Sequence, residues 1–342
     1  MIGVTGTKGK TTTTHMIRAI LLAAGKKVGM IGTTGTVIGD VVTPTLNTTP
    51  ESYELHQAFA QMVEAGCEYA VMEVSSQGIK MHRTDGLYFN YAIFTNISPD
   101  HIGPGEHADF EEYLYYKTRL LNMCGIGLVN KDDKHAPQII KAANCELCTY
   151  SEESKEADFV ASDIRYVSQP DFVGTEFHIS GKYDMEVRLG IPGLFNVVNA
   201  LAAVSVCSFL GLDQARISHA LENIRVNGRM EIVYTSERCT VLVDYAHNAV
   251  SMESLLSTLR DYKPKRLVCV FGCGGNRSKD RRYSMGEIGG KMADLSIITA
   301  DNSRYEKVED IIADIRGSIE KTGGKFIEIP DRREAIRYSI LH

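Results

Sequence analysis

From the start to about Asn130, short apolar and β-branched runs alternate with segments whose apolar positions recur every three to four residues. That is the pattern of β-α-β units on a parallel sheet. Residues 1–4 predict the first strand. Residues 11–24 set Met16, Ile17, Ile20, Leu21 and Ala24 on one helical face and stop at Gly25. Thr49-Pro50-Glu51 predicts an N-cap, a proline at the first helical position and an early acid, followed by Leu55, Phe59, Met62 and Val63 as the buried face. Residues 69–74 and 91–95 predict buried strands with polar residues at their carboxyl ends, where chemistry collects in such folds.

Residues 159–189 change to alternating polar and apolar positions with turn signals at Gln169-Pro170-Asp171 and Ser180-Gly181, which predicts an antiparallel insert. A further helix is expected at 194–210. After the turn at Asn227-Gly228 a second β/α series is expected, with strands at 240–245, 266–271, 295–299 and 325–329. The fold class is therefore α/β: a central domain with a mostly parallel sheet at 1–228, then a smaller Rossmann-like α/β domain at 229–342. No repeat or low-complexity tract is visible.

At 342 residues the chain is long enough for two cores. A hydrophobic fraction of 44% with 23% charged residues is ordinary globular composition. The formal net charge of -6 and pI near 6.0 argue against a nucleic-acid partner, which would need a basic face. The longest apolar stretch, 197–212, is interrupted by Asn199, Ser205 and Ser208 and is too short for a bilayer, so no membrane association is expected. The N-terminus lacks the charged-then-apolar order of a signal peptide, so the expected compartment is the cytoplasm. Of eight cysteines only Cys145 and Cys148 form a CxxC pair, without the second pair a zinc site would want; reduced thiols are expected.

The chemistry concentrates in three places. Gly3-Val4-Thr5-Gly6-Thr7-Lys8-Gly9-Lys10-Thr11-Thr12 lies between a predicted strand and helix, the context of a phosphate-binding loop. Its glycines let backbone N–H groups close around phosphate oxygens. Lys10 offsets charge on the outer phosphates, and Thr11 offers a hydroxyl to Mg²⁺. Val4 departs from the GxxxxGK[ST] spelling at the first glycine. Glu73-Val74-Ser75-Ser76 ends one strand, and Asn96-Ile97-Ser98-Pro99-Asp100-His101 follows another. Glu73 and His101 are thus expected at the same sheet edge as the loop, where a carboxylate and an imidazole can ligate a divalent ion.

The segments GTKGKTT, NTTPES, MEVSSQGIKMHR, FTNISPDHI, EEYLYYKTRLL, GLFNVVNALAA, VNGRMEIV, VDYAHN, VFGCGGNRSKDRR and TADNSR occur in the order found in Mur ligases, and over nearly the whole chain. EVSSQGIKMHR with NTTPE resembles the MurE type, the UDP-N-acetylmuramoyl-tripeptide synthetases. The resemblance implies an ATP-dependent ligase that adds a diamino acid to UDP-N-acetylmuramoyl-L-alanyl-D-glutamate in peptidoglycan synthesis, through an acyl phosphate. It implies that Gly6, Thr7, Lys8, Gly9, Lys10, Thr11 and Thr12 hold the ATP phosphates and that Asn199, Arg229 and Asp244 contact the nucleotide. It further implies Thr11, Glu73, His101 and a carbamylated Lys117 around Mg²⁺, with Lys10, Glu73, His101 and Lys117 as the catalytic set. Asn47, Thr48, Thr49, Ser75 and Arg83 match positions holding the UDP-MurNAc-dipeptide. Asp301-Asn302-Ser303-Arg304 stands where diaminopimelate enzymes have DNPR; a guanidinium fork at Arg304 suits the second carboxylate that distinguishes meso-diaminopimelate from L-lysine.

Four positions depart from the family's pattern: Lys8 for Asn, Met81 for Gln, Asn276 for Asp and Ser303 for Pro. The loop strand begins at Met1, and the chain ends at His342 before a GKGHE-like segment. The resemblance therefore implies a chain without the N-terminal uridine-binding domain and the last part of the C-terminal domain, with activity lowered or lost in this form. A monomer is expected. Alternatives are another ligase of the superfamily, such as a folylpolyglutamate-type enzyme, against which EVSSQGIKMHR argues, and a non-catalytic nucleotide-binding module.

Overall fold

A computed structural model describes residues 1–342. Its strands and helices group into two units, Met1–Arg165 with Gly174–Val226, and Tyr166–Val173 with Asn227–His342. In the first unit the order is β1 (Ile2–Thr5), α1 (Lys10–Ala23), β2 (Val28–Gly32), β3 (Gly35–Ile38), β4 (Val41–Thr43), α2 (Ser52–Glu64), β5 (Tyr69–Glu73), α3 (Ser76–Lys80) and β6 (Phe89–Phe94). There follow α4 (Phe110–Thr118), β7 (Cys124–Asn130), α5 (Ala136–Ala142), β8 (Glu146–Ser151), β9 (Phe159–Gln169), β10 (Phe172–Gly181), β11 (Met185–Leu189), α6 (Leu194–Phe209) and α7 (Gln214–Glu222).

These strands form one sheet in the order β11-β10-β9-β8-β7-β6-β1-β5-β2-β3-β4. It is parallel from β2 to β9. The chain runs from β1 through α1 to β2 on one side and later crosses to β6 on the other, so β1 sits at a topological switch point. Ligands of open α/β sheets bind beyond the carboxyl ends of strands at such a point. The register Val4↔Glu73 and Thr5↔Phe94 brings the three ends to one level.

Strand periodicity decides what faces the site. On β5, Met72 points into a core shared with Leu55, Ala58 and Met62 of α2 and with Phe94 of β6. The alternate residue, Glu73, turns toward α1 and is buried there. α1 buries Met16, Ile17, Ile20 and Leu21, as its periodicity predicts, and packs against α6 and α7.

Several sequence expectations change. Thr49 is not the N-cap of α2: Glu51 is, in a capping box with Glu54, while Thr49 is buried and bonded to the end of β5. Val63 is exposed and Phe59 only half-buried, because the α2 face follows Leu55, Ala58 and Met62. Residues 159–189 are antiparallel only in part. β9 continues the main sheet parallel to β8, while the turn at Pro170-Asp171 leads into β10, and β10 pairs antiparallel with β11.

The second unit begins with β12 (Glu231–Thr235) and β13 (Thr240–Val243), then α8 (Ala249–Asp261), β14 (Val268–Phe271), α9 (Lys279–Met292), β15 (Leu295–Ile298), α10 (Val308–Thr322), β16 (Phe326–Glu328) and α11 (Arg332–Leu341). The predicted strand at 240–245 does not join the parallel series: β13 pairs antiparallel with β12 in a two-stranded ribbon of its own. β14, β15 and β16 form a parallel sheet. Met285, Ile311, Ile312 and Ile315 of α9 and α10 share one core with Phe271 and Ile298, while Ala335 of α11 packs with Leu295 and Ile297 in another. No helix is long and apolar enough to cross a membrane.

Candidate active site

The loop between β1 and α1 is built as a cradle. Gly9 caps α1 in a left-handed conformation, φ 87°, and a Cβ there would lie 2.3 Å from Asn199 Oδ1. Only glycine fits both constraints. The loop is held from β6: Lys8 N donates to Asn96 Oδ1 at 2.9 Å, while Thr95 Oγ1 and Asn96 Nδ2 donate to Lys8 O at 2.6 and 3.0 Å. The Lys8 side chain itself is exposed. Lys10 Nζ folds back over the loop and donates to the carbonyl oxygens of Gly6, 2.8 Å, and Thr7, 3.2 Å.

Behind the loop, Thr11 Oγ1 donates to Glu73 Oε2 at 3.0 Å. Glu73 is 1% exposed, and its other partners are Thr33 N at 2.9 Å and Thr33 Oγ1 at 3.2 Å. All of these donors are neutral, so the buried carboxyl has no counter-charge among its hydrogen-bond partners, an arrangement a cation would stabilise. Thr12 is buried on the same turn of α1, and Asn199 of α6 accepts from Thr13 Oγ1 at 3.4 Å.

Lys117 is the second cation at the loop. The sequence places it on a helix, where lysines are normally solvated. Here it is 2% exposed, and its Nζ donates to Gly6 O at 2.8 Å and lies 4.6 Å from the centre of the Tyr113 ring. Burial, and secondarily the Lys10 charge, hold its pKa well below the ordinary lysine value. Tyr113, also fully buried, shares a hydrogen bond with Thr7 Oγ1 at 3.1 Å.

His101 lies near the loop, its ring centre 6.1 Å from that of Tyr113. It lies exposed in a left-handed conformation, φ 53°, with Nδ1 2.9 Å from Glu106 Oε1, and it makes no hydrogen bond or ion pair with Thr11 or Glu73. The loop carrying it closes on itself through His107 N to His101 O and Gly103 N to His107 O, both 3.0 Å, which puts the imidazole among the loop's own acids, Asp100 and Glu106. No three carboxylate, imidazole or thiol groups cluster into a metal cage. The oxygen groups that could hold a cation here are thus one carboxylate, Glu73, and one hydroxyl, Thr11. Mg²⁺ suits so sparse a set, because it keeps several waters and takes substrate phosphates as ligands.

A second group lies beside Glu73. Thr49 Oγ1 donates to Glu73 O at 3.0 Å and accepts from Ser75 N at 2.9 Å. Arg83 Nη1 donates to Thr49 O at 3.2 Å, and its Nη2 pairs with Glu51 at 2.6 Å. Ser75 caps α3 by accepting from Gly78 N. Thr48 reaches the same edge through Thr33 Oγ1 at 3.1 Å, and Asn47 is half-buried next to it. Met81, by contrast, is exposed.

In the second unit Asp244 accepts from Met230 N and Ala246 N, each at 2.8 Å, and Arg229 stacks 4.7 Å from the centre of the Tyr245 ring. Arg304 is exposed, has φ 52°, and donates through Nη1 to Gly275 O at 3.2 Å. Sequence reasoning missed Thr33, Thr95 and Tyr113 as holders of Glu73 and the loop. All three reach their partners by tertiary contact alone; Thr95 and Tyr113 stood inside quoted motifs, as Asn96 did, but Thr33 stood in none.

Comparison with known proteins gives a family for this geometry. The Mur ligase middle domain matches residues 4–207, and the Mur ligase glutamate ligase domain matches residues 228–342. The UDP-N-acetylmuramoyl-L-alanyl-D-glutamate--2,6-diaminopimelate ligase of Caldanaerobacter subterraneus subsp. tengcongensis is 40% identical, over 99% of this chain and 70% of that protein. A solved structure of a ligase with the same name superposes with a TM-score of 0.76 at 32% identity, covering 98% of this chain and 69% of the other. Folylpolyglutamate synthase of Mycobacterium tuberculosis superposes at 0.74 with 18% identity, over 99% of this chain and 83% of its own, a likeness of fold alone.

Proposed function

The chain belongs to the Mur ligase family, and on that premise we propose that it joins meso-diaminopimelate to UDP-N-acetylmuramoyl-L-alanyl-D-glutamate with ATP and Mg²⁺. The observation that carries the proposal is the convergence of Lys10 and Lys117 on Gly6 O beside the buried Thr11–Glu73 pair. Relatives that share the chain nearly end to end are named for this reaction.

The substrate's D-glutamate carboxylate is a poor electrophile, because its charge repels an incoming amine. Its oxygen attacks the γ-phosphorus of ATP, and ADP leaves. The diamino acid's neutral amine then adds to the acyl phosphate, phosphate departs with the C–O bond electrons, and the nitrogen loses its extra proton. Residues 6–12 hold the phosphates through backbone N–H groups, and Lys10 stabilises charge on the transferred group. Bound Mg²⁺ would neutralise phosphate charge, held by Thr11, Glu73, His101 and carbamylated Lys117. Asn199, Arg229 and Asp244 contact the nucleotide. Asn47, Thr48, Thr49, Ser75 and Arg83 hold the precursor, and Arg304 takes the far carboxylate of diaminopimelate. The domains divide at residue 228, and the enzyme acts as a cytoplasmic monomer.

Phosphate release from ATP tests the reading. It should require both the UDP-MurNAc-dipeptide and diaminopimelate, with the tripeptide product seen by mass. Turnover on folate polyglutamate acceptors instead, or ATP binding without product, would overturn it.

A further inference from the structure

Arg282 is a buried cation that the proposed reaction does not use. It lies on α9, 1% exposed, and is among the largest fully buried side chains of the protein. Its Nη2 donates to both Glu306 oxygens at 2.7 Å, and its Nη1 to Asp314 Oδ2 at 2.9 Å. Lys279 also pairs with Asp314, at 3.1 Å, which makes the cluster neutral: two cations and two carboxylates. Burying a cation such as Arg282, even when it is paired, gains little stability over an apolar residue of the same size, so the arrangement calls for a geometric role.

That role is visible in what Glu306 touches. It accepts from Asn276 N, in the loop after β14, while itself lying in the loop after β15. The two loops interlock at four more points. Gly275 N donates to Asn302 O at 2.9 Å, Tyr305 N to Asn276 Oδ1 at 3.1 Å, and Arg304 Nη1 to Gly275 O at 3.2 Å. A Cβ on Gly275 would lie 1.9 Å from Ser303 O, so the backbones are already in contact. Asn276 and Arg304 both have φ 52°, conformations that relax unless held.

We propose that Arg282 is a positioning residue for Arg304: through Glu306 and Asn276 it locks the two loops, and so sets selection for a diamino acid bearing a second carboxylate. The proposal rests on the reading of Arg304 given above. It accounts for the departures at Asn276 and Ser303: an amide at 276 still accepts from Tyr305 N and tolerates left-handed backbone, and Ser303 is fixed by Gly275 and by Glu306 N donating to its carbonyl at 3.0 Å.

The test compares Arg282→Met, Glu306→Gln and Arg304→Ala in steady-state assays with meso-diaminopimelate and L-lysine, and follows amide hydrogen exchange at Gly275 and Tyr305. Met at 282 leaves Asp314 its Lys279 partner, and Gln at 306 keeps an acceptor for Asn276 N, so a folding defect in one is checked by the other. Arg282→Met should raise KM for diaminopimelate about tenfold or more, with KM for ATP within about twofold and kcat less affected, and should speed exchange at both amides. Glu306→Gln should move in the same direction. If Arg304→Ala collapses selectivity while both other variants fold and keep it, the positioning role is overturned. If Arg304→Ala leaves selectivity unchanged, the reading of Arg304 falls and the selection claim with it. Unchanged exchange in folded Arg282→Met overturns the lock itself.

Discussion

The amines of Lys10 and Lys117, 107 positions apart in sequence (117 − 10), donate to the same carbonyl oxygen, that of Gly6, each at 2.8 Å. Two ammonium groups so close, one of them buried, repel through a medium that screens poorly. The repulsion falls on the buried one: desolvation first and Lys10 second depress Lys117. A lysine with a neutral fraction at ordinary pH is a nucleophile for carbon dioxide, and a carbamate would exchange the repulsion for attraction. Lys117 should therefore show a carbamate signal by ¹³C NMR in labelled bicarbonate. Lys117→Ala should lose about a hundredfold or more in turnover and recover part of it with acetate or formate, by the scale of lost electrostatic stabilisation. A fully active alanine variant with no such signal would exclude the role.

The same burial has a signature in stability. Because Lys117 in the folded protein has a pKa below its unfolded value, the unfolded chain binds more protons between the two, and stability rises with pH across that window. In CO₂-free buffer Lys117→Met should melt higher than the parent near neutrality. The gap should narrow as pH climbs toward the ordinary lysine value of about 10.5. A gap that widens with pH would contradict the assignment.

Lys10→Ala removes the one side chain that arches over the loop to both Gly6 O and Thr7 O. ATP-dependent turnover should fall about 10²- to 10³-fold or more, in line with loss of a single transition-state donor. The exposed side chain of Lys8 should not compensate. Near-normal turnover measured by phosphate release would sink the loop assignment.

Gly9→Ala must place a methyl group 2.3 Å from Asn199 Oδ1 and hold φ 87°. The left-handed backbone alone costs about 1–2 kcal/mol. Calorimetry should find ATP affinity reduced about tenfold or more, with a lowered melting temperature. Restoring room with Asn199→Ala should recover stability in part, while unchanged ATP binding in Gly9→Ala would refute the close approach.

Arg83 ties the 47–51 segment to α3 through Thr49 O and Glu51. Arg83→Ala leaves that carbonyl without its donor, worth about 1–3 kcal/mol. The expected result is a KM for the UDP-MurNAc-dipeptide raised about 5- to 100-fold, with KM for ATP little changed. Equal KM values in mutant and parent would remove Arg83 from the precursor site.

The linear pattern was enough for the βαβ alternation, the glycine-rich loop between β1 and α1, and the helix at 194–210, because each depends on local periodicity or on spacing within about ten residues. It also ordered the motifs well enough to identify the family. It misjudged what depends on partners elsewhere. Thr49 has the composition of an N-cap but is spent on Glu73 O and Ser75 N, and the strand at 240 pairs with a ribbon instead of the parallel sheet. His101 is turned toward Glu106 by a loop closure that no spacing rule encodes. Lys117 and Arg282 look like solvated helix charges in sequence, since periodicity reports which face is apolar and not which polar residue is sealed beneath a distant loop. Their burial was decided by tertiary structure alone: Gly6 O and Glu306 come to them from other elements, and only the folded sheet puts those groups within hydrogen-bonding reach.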